Sequence, residues 1–83
     1  MTNKTKILFF ATMRTRAGRS SIELELNENT TVSELKNILV EQFPALEASL
    51  HHTLVSINRD FADDEEVIPQ NAEIAIFPPV SGG

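Results

Sequence analysis

The sequence predicts an α+β roll, a mixed sheet of four or five strands with one main helix packed on one face. Three observations predict it. Two stretches near the N-terminus carry strand-like hydrophobic patterns and are separated by a short polar segment. One central stretch, "TTVSELKNILVEQF", switches to helical spacing. Two further short β-branched stretches follow it, giving the order β-β-α-β-β. A single helix laid against one face of a sheet is the economical way to bury these apolar faces. At 83 residues the chain has room for one domain with one modest core, because a domain this size buries only about 60% or somewhat more of its unfolded surface.

The elements follow in chain order. "KILFFATM" is a continuous apolar run with the pattern of a strand inside a sheet. "RTRAGRS", with Gly18 and three arginines, reads as a hairpin loop. In "SSIELELNEN" Ile22, Leu24 and Leu26 alternate with Ser21, Glu23 and Glu25, the mark of a strand with one face in water. These two strands should pair antiparallel. In the helix Val32, Leu35, Leu39 and Phe43 share a face, with Ile38 beside them. Thr31 is placed to cap it, and Glu34 to complete a capping box. Pro44 should stop the helix near Phe43, and "ALEASLHH" adds a short helical turn. "TLVSIN" is a strand with Val55 and Ile57 set against Leu54 and Ser56, and "RDFADDEEVIPQNA" is polar and turn-rich. "EIAIF" closes the domain, with Ile74 and Ile76 on one face and Ala75 and Phe77 on the other. If this last strand lies beside the first in the middle of the sheet, the roll becomes a β-grasp. Sequence order alone leaves that pairing open. Residues 1–77 form the domain, and residues 78–83 an extended tail.

Composition narrows the chemistry. The chain has no cysteine, which excludes disulfides and thiolate metal ligands and any sulfur carried on a side-chain thiol. Seven basic residues against twelve acidic ones leave a net charge of −5, unsuited to nucleic acid as a partner and suited to basic protein surfaces. The apolar run near the N-terminus is too short to span a membrane, and no small-residue cleavage site follows it. A cytoplasmic protein without membrane contact is expected. His51 and His52, adjacent in sequence, cannot turn both rings to one side of a strand or helix, and no third ligand is near, so no metal site is expected. The run Asp63-Asp64-Glu65-Glu66 lacks the glycine and alternation of a calcium loop and reads as a solvated loop, as do Arg14, Arg16 and Arg19. No serine, histidine and carboxylate pattern marks a nucleophile with its base. A self-contained enzyme is not expected.

Two features remain. Taking Ile7, Phe9 and Ala11 to face the helix, alternation turns Phe10 to the open face of the sheet, and it does the same for Phe77. Phe61 has no evident core face. If the first and last strands are neighbours, three phenylalanines cluster there as either a partner surface or a second small core. The second feature is the ending, "FPPVSGG". Pro78 and Pro79 hold an extended direction, and Gly82 and Gly83, lacking Cβ atoms, can thread a narrow channel and present an unhindered acyl carbon. Activated as an acyl adenylate, that carboxylate could take up sulfide and become a thiocarboxylate. The other reading is an inert, frayed end.

"KILFFATMRTRAG", "VSINRDFADDEEV" and above all "FPPVSGG" resemble the sulfur-carrying small subunit family of molybdopterin synthase, the MoaD family, over Ile7 to Gly83. The resemblance implies a ubiquitin-like β-grasp and a part in molybdenum cofactor biosynthesis. It implies that an adenylating enzyme similar to those that activate ubiquitin uses ATP and Mg²⁺ on the Gly83 carboxylate, that an upstream sulfurtransferase supplies sulfur, and that the carrier itself binds no cofactor. It further implies that the tail, Pro78, Pro79, Val80, Ser81, Gly82 and Gly83, inserts into the large, catalytic subunit of a heterotetramer. There the thiocarboxylate gives sulfur to cyclic pyranopterin monophosphate. By the same resemblance Phe10, Phe61 and Phe77 contact the large subunit and the activating enzyme. The chain departs from the family pattern at "PQNAEIAIF", where Asn71 stands in a turn usually made by Asp-Gly and can still adopt the turn conformation. It departs again at "MRTRAGRS", which is more basic than usual and lacks the common Arg-Glu pair. Three other readings stay open: a sulfur carrier for thiamine synthesis or tRNA thiolation, a ubiquitin-like protein modifier, and a plain interaction domain.

Overall fold

The computed structural model describes residues 2–50 and 52–78. Among them the order is β1 (Thr2–Phe9), α1 (Thr12–Ala17), β2 (Ser21–Asn27), α2 (Val32–Gln42), a 3-10 turn (Pro44–Leu46), α3 (Glu47–Leu50), β3 (Leu54–Ile57), β4 (Asp60–Phe61) and β5 (Glu73–Phe77). The strands form one mixed sheet in the order β2-β1-β5-β3-β4. β1 runs antiparallel to β2, with Ile7 opposite Ile22, and parallel to β5, with Phe9 opposite Ile76. The last strand therefore lies beside the first in the middle of the sheet, which meets the condition for a β-grasp.

One sheet face carries the core. Ile7, Phe9, Ile74 and Ile76 from the two central strands, with Val55 and Ile57 from β3, bury against Val32, Leu35 and Leu39 of α2. Phe9 and Phe43 meet edge to face at 5.8 Å, closing the core where α2 ends. The capping box forms as the sequence predicts. The Glu34 N–H donates to Thr31 Oγ1 at 3.2 Å, and the Thr31 N–H donates to Glu34 Oε1 at 3.1 Å. The T31A variant should unfold at lower urea, with a loss of about 1 kcal/mol, since Ala cannot accept the Glu34 amide.

The structure departs from the expected layout in five places, the first being β4 (Asp60–Phe61), a short strand inside the segment read as turn-rich, formed because the Asn58–Arg59 turn folds it back on β3. The segment from Thr12 to Ala17 is a helix, not strand end and loop: Met13 and Ala17, four residues apart, drop one face of it into the core, and Gly18 closes it in the left-handed conformation at φ 73. Ala11 does not face the helix; it is exposed and has left the strand at φ 51. β1 begins at Thr2 rather than Lys6, because β2 is long enough to pair it as far as Thr2 opposite Asn27. The acidic loop keeps its carboxylates in water but is tied to the main helix through its backbone. The Val32 and Ser33 amides donate to the carbonyls of Glu66 and Asp64 at 3.0 and 2.9 Å, which satisfies donors the first turn of α2 would otherwise leave open. Lys36 Nζ also donates to Asp64 Oδ1 at 2.7 Å.

Candidate functional site

Among the described residues, no helix covers the face of the sheet away from α2. Alternation along β1 and β5 puts Leu8, Ala75 and Phe77 on that face, and Phe10 continues the pattern one residue past β1. Phe10 holds its place because its N–H still donates to the Ile76 carbonyl at 3.1 Å. Parallel pairing of β1 with β5 then brings Phe10 and Phe77 together. Their rings stack at 4.9 Å with planes 10° apart.

Phe61 reaches the same face by another route. β3 turns into β4 through Asn58 and Arg59, both left-handed at φ 50 and 76, the conformation of a two-residue type I′ hairpin turn. Asn suits the first of these positions, and its side chain adds a tie: Asn58 Oδ1 accepts the Glu73 N–H at 2.9 Å. The result is a recess of about 360 Å³ lined by Leu8, Phe10, Ser56, Arg59, Phe61, Glu73, Ala75 and Phe77. Phe61 is 74% exposed and Phe10 40% exposed. Leu54, opposite Phe77 in the sheet register, adds another exposed apolar side chain. Aromatic rings this open contribute little to the fold and are suited to desolvation by a partner.

All three phenylalanines singled out in the sequence thus share one recess. Leu8 lies on this face by the same alternation that turns Phe10 to it. Arg59 became a lining residue only through the I′ turn, which the segment "INRD" signalled through its asparagine. Asn71, at φ 56, takes the turn conformation expected of it just before β5. Pro78 is half-buried at the end of β5, where the register places it next to the end of β1. Pro79, Val80, Ser81, Gly82 and Gly83 lie outside the described residues, as does His51. Among the described residues no cluster of three or more metal-ligating side chains is present, and no helix is long and apolar enough to cross a membrane.

The chain has close relatives with this build. A family model described as the ThiS family matches residues 7–83. A Dictyostelium discoideum protein named molybdopterin synthase sulfur carrier subunit is 38% identical over 90 residues, and the match covers 100% of both chains. An Arabidopsis thaliana protein of the same name is 31% identical over 78 residues, covering 94% of this chain and 81% of that protein. The crystal structure of small archaeal modifier protein 1 from Haloferax volcanii superposes with a TM-score of 0.83 at 28% identity, covering 94% of this chain and 99% of that one.

Proposed function

This chain belongs to the ThiS family, and on that premise we propose that it is the sulfur carrier subunit of a molybdopterin synthase. The observation that carries the reading is a conjunction. An exposed aromatic face, built on the Phe10–Phe77 stack, sits where the chain leaves the sheet for a tail ending in Gly82-Gly83. Its likeness, over 94% of the chain or more, to relatives named for that role supports it.

The chemistry follows from the end group. A carboxylate resists nucleophiles. An activating enzyme using ATP and Mg²⁺ joins a Gly83 oxygen to the α-phosphorus of ATP and releases pyrophosphate, leaving a good leaving group on the acyl carbon. Hydrosulfide supplied by a sulfurtransferase then attacks the acyl carbon and displaces AMP, and the product is a thiocarboxylate. The Phe10, Phe61 and Phe77 face docks on the large subunit, and the tail from Pro78 through Gly83 enters that subunit's active site. There the sulfur replaces an oxygen on a side-chain carbon of cyclic pyranopterin monophosphate, a C–S bond forming as a C–O bond breaks, and water cleaves the acyl C–S bond to restore the Gly83 carboxylate. The chain supplies the carried sulfur and the docking surface; the large subunit supplies catalysis.

Reconstitution tests this. The thiocarboxylated chain, its cognate large subunit and cyclic pyranopterin monophosphate should together yield a dithiolene and consume two carriers per pterin. A competent large subunit that forms no dithiolene with this carrier would contradict the reading. The likeness to small archaeal modifier protein 1 favours one second reading, attachment of Gly83 to lysines of other proteins. It predicts ladders of tagged proteins in cells that vanish when Gly83 is removed.

A further inference from the structure

The arginines of the β1–β2 connection remain unused by the face and the tail. Residues 12–20 hold Arg14, Arg16 and Arg19 and no acidic residue. The chain's net charge of −5 therefore divides into +3 on this segment and −8 on the rest. All three arginines are exposed. Among the described residues the only ion pair joins Lys36 to Asp64, so none of the three is neutralised by a neighbouring carboxylate.

Their placement gives the charge a direction. α1 follows β1 directly, and its Arg14 borders a second recess shared with Leu8, Phe10, Ala11, Ser20 and Ser21. Leu8 and Phe10 line the aromatic recess as well. Arg14 is therefore continuous with the aromatic face, on the side where β5 delivers Pro78. Arg16 follows it on the same short helix, and Arg19 lies apart in a recess with Glu23 and Phe43. Nothing in the fold requires arginine there, since Met13 and Ala17 provide the buried contacts of α1.

We infer that Arg14 and Arg16 form a cationic rim that docks on a cluster of carboxylates at the large subunit's docking surface. The inference rests on the sulfur carrier reading and adds the chemistry of the partner surface. Charge complementarity chooses the occupant. A segment of +3 on a chain otherwise at −8 sets positive charge near the end of β5, so an acidic rim draws that end of the carrier in before the phenylalanines touch. A basic partner surface would turn that end away. Such steering acts on the association rate and fades as salt screens it.

The test is the association kinetics of the purified chain with its cognate large subunit, at about 50 mM and about 500 mM salt, where the screening length falls from beyond 10 Å to under 5 Å. The R14E/R16E variant should associate about tenfold more slowly at low salt, close to wild type at high salt, and retain the wild-type dissociation rate. The milder R14Q/R16Q variant should fall between, which guards against a folding defect in the charge reversal. A low-salt rate within twofold of wild type would overturn the rim while leaving the carrier reading intact. So would a loss equal at both salts. A wild-type chain that fails to bind the large subunit at all would sink the carrier reading and the rim with it. Salt-sensitive binding to a short DNA duplex, lost in R14E/R16E, would reassign the arginines to phosphate and overturn protein docking.

Discussion

A chain lacking Gly83, or extended by one residue beyond it, forms no thiocarboxylate and transfers no sulfur, while its urea unfolding midpoint stays at the wild-type value. Sulfur is held on the terminal acyl carbon itself, so deletion moves the reacting carbon back by one residue, roughly 3.3–3.6 Å of extended chain. A positioned reaction does not tolerate such a shift, since misplacement by about 1 Å already costs on the order of 100-fold. Extension buries the same carbon in a peptide bond and carries the terminal acid one residue beyond the reacting position. A bulky residue in place of Gly83 should act similarly by blocking a channel that admits a chain without Cβ atoms. The fold is indifferent to all three changes, because its buried cluster is drawn from residues between Ile7 and Ile76. Sulfur transfer is read by dithiolene formation and stability by denaturation. A Gly83 deletion that still sulfurates the pterin would end the tail mechanism.

The second large effect falls on docking. F61A should weaken binding to the large subunit by about 30- to 1,000-fold, equivalent to about 2–4 kcal/mol at 1.4 kcal/mol per tenfold. Phe61 is 74% exposed on a strand of two residues, so most of its ring area is available to be taken out of water by a partner, and buried aromatic anchors dominate interface energies. For the same reason its truncation costs the isolated domain little, within about 0.5 kcal/mol. Val67 makes an apt control. It is 50% exposed and apolar, yet it is absent from the lining of the aromatic recess, and V67A should bind as wild type does. Equal losses in F61A and V67A, measured by titration calorimetry, would show that the aromatic face is not where the partner sits.

Most of the architecture was legible in the sequence because its elements have clean periods. The helix announced itself through Val32, Leu35 and Leu39 with Thr31 and Glu34 at its start, and β2 and β5 through strict alternation. The site was legible in part for the same reason: alternation alone turned Phe10 and Phe77 to one face, and the parallel β1–β5 pairing then made them neighbours. What escaped has physical causes. α1 was hidden because "ATM" extends the apolar run of β1 without a break; the helix is visible only in the i, i+4 spacing of Met13 and Ala17. β4 was hidden because two residues are too few for any period, and only the Asn58–Arg59 turn betrays it. The contribution of the acidic loop to α2 comes from backbone carbonyls of Asp64 and Glu66, which no side-chain pattern can reveal.

The central claim is that this chain carries sulfur on its own terminus. Intact mass after incubation with its activating enzyme, ATP and a sulfide donor tests that most directly. Sulfur carriage on Gly83 requires a gain equal to the replacement of one oxygen by one sulfur, lost when Gly83 is deleted. An unchanged mass, with an activating enzyme proven competent on another carrier, would contradict it.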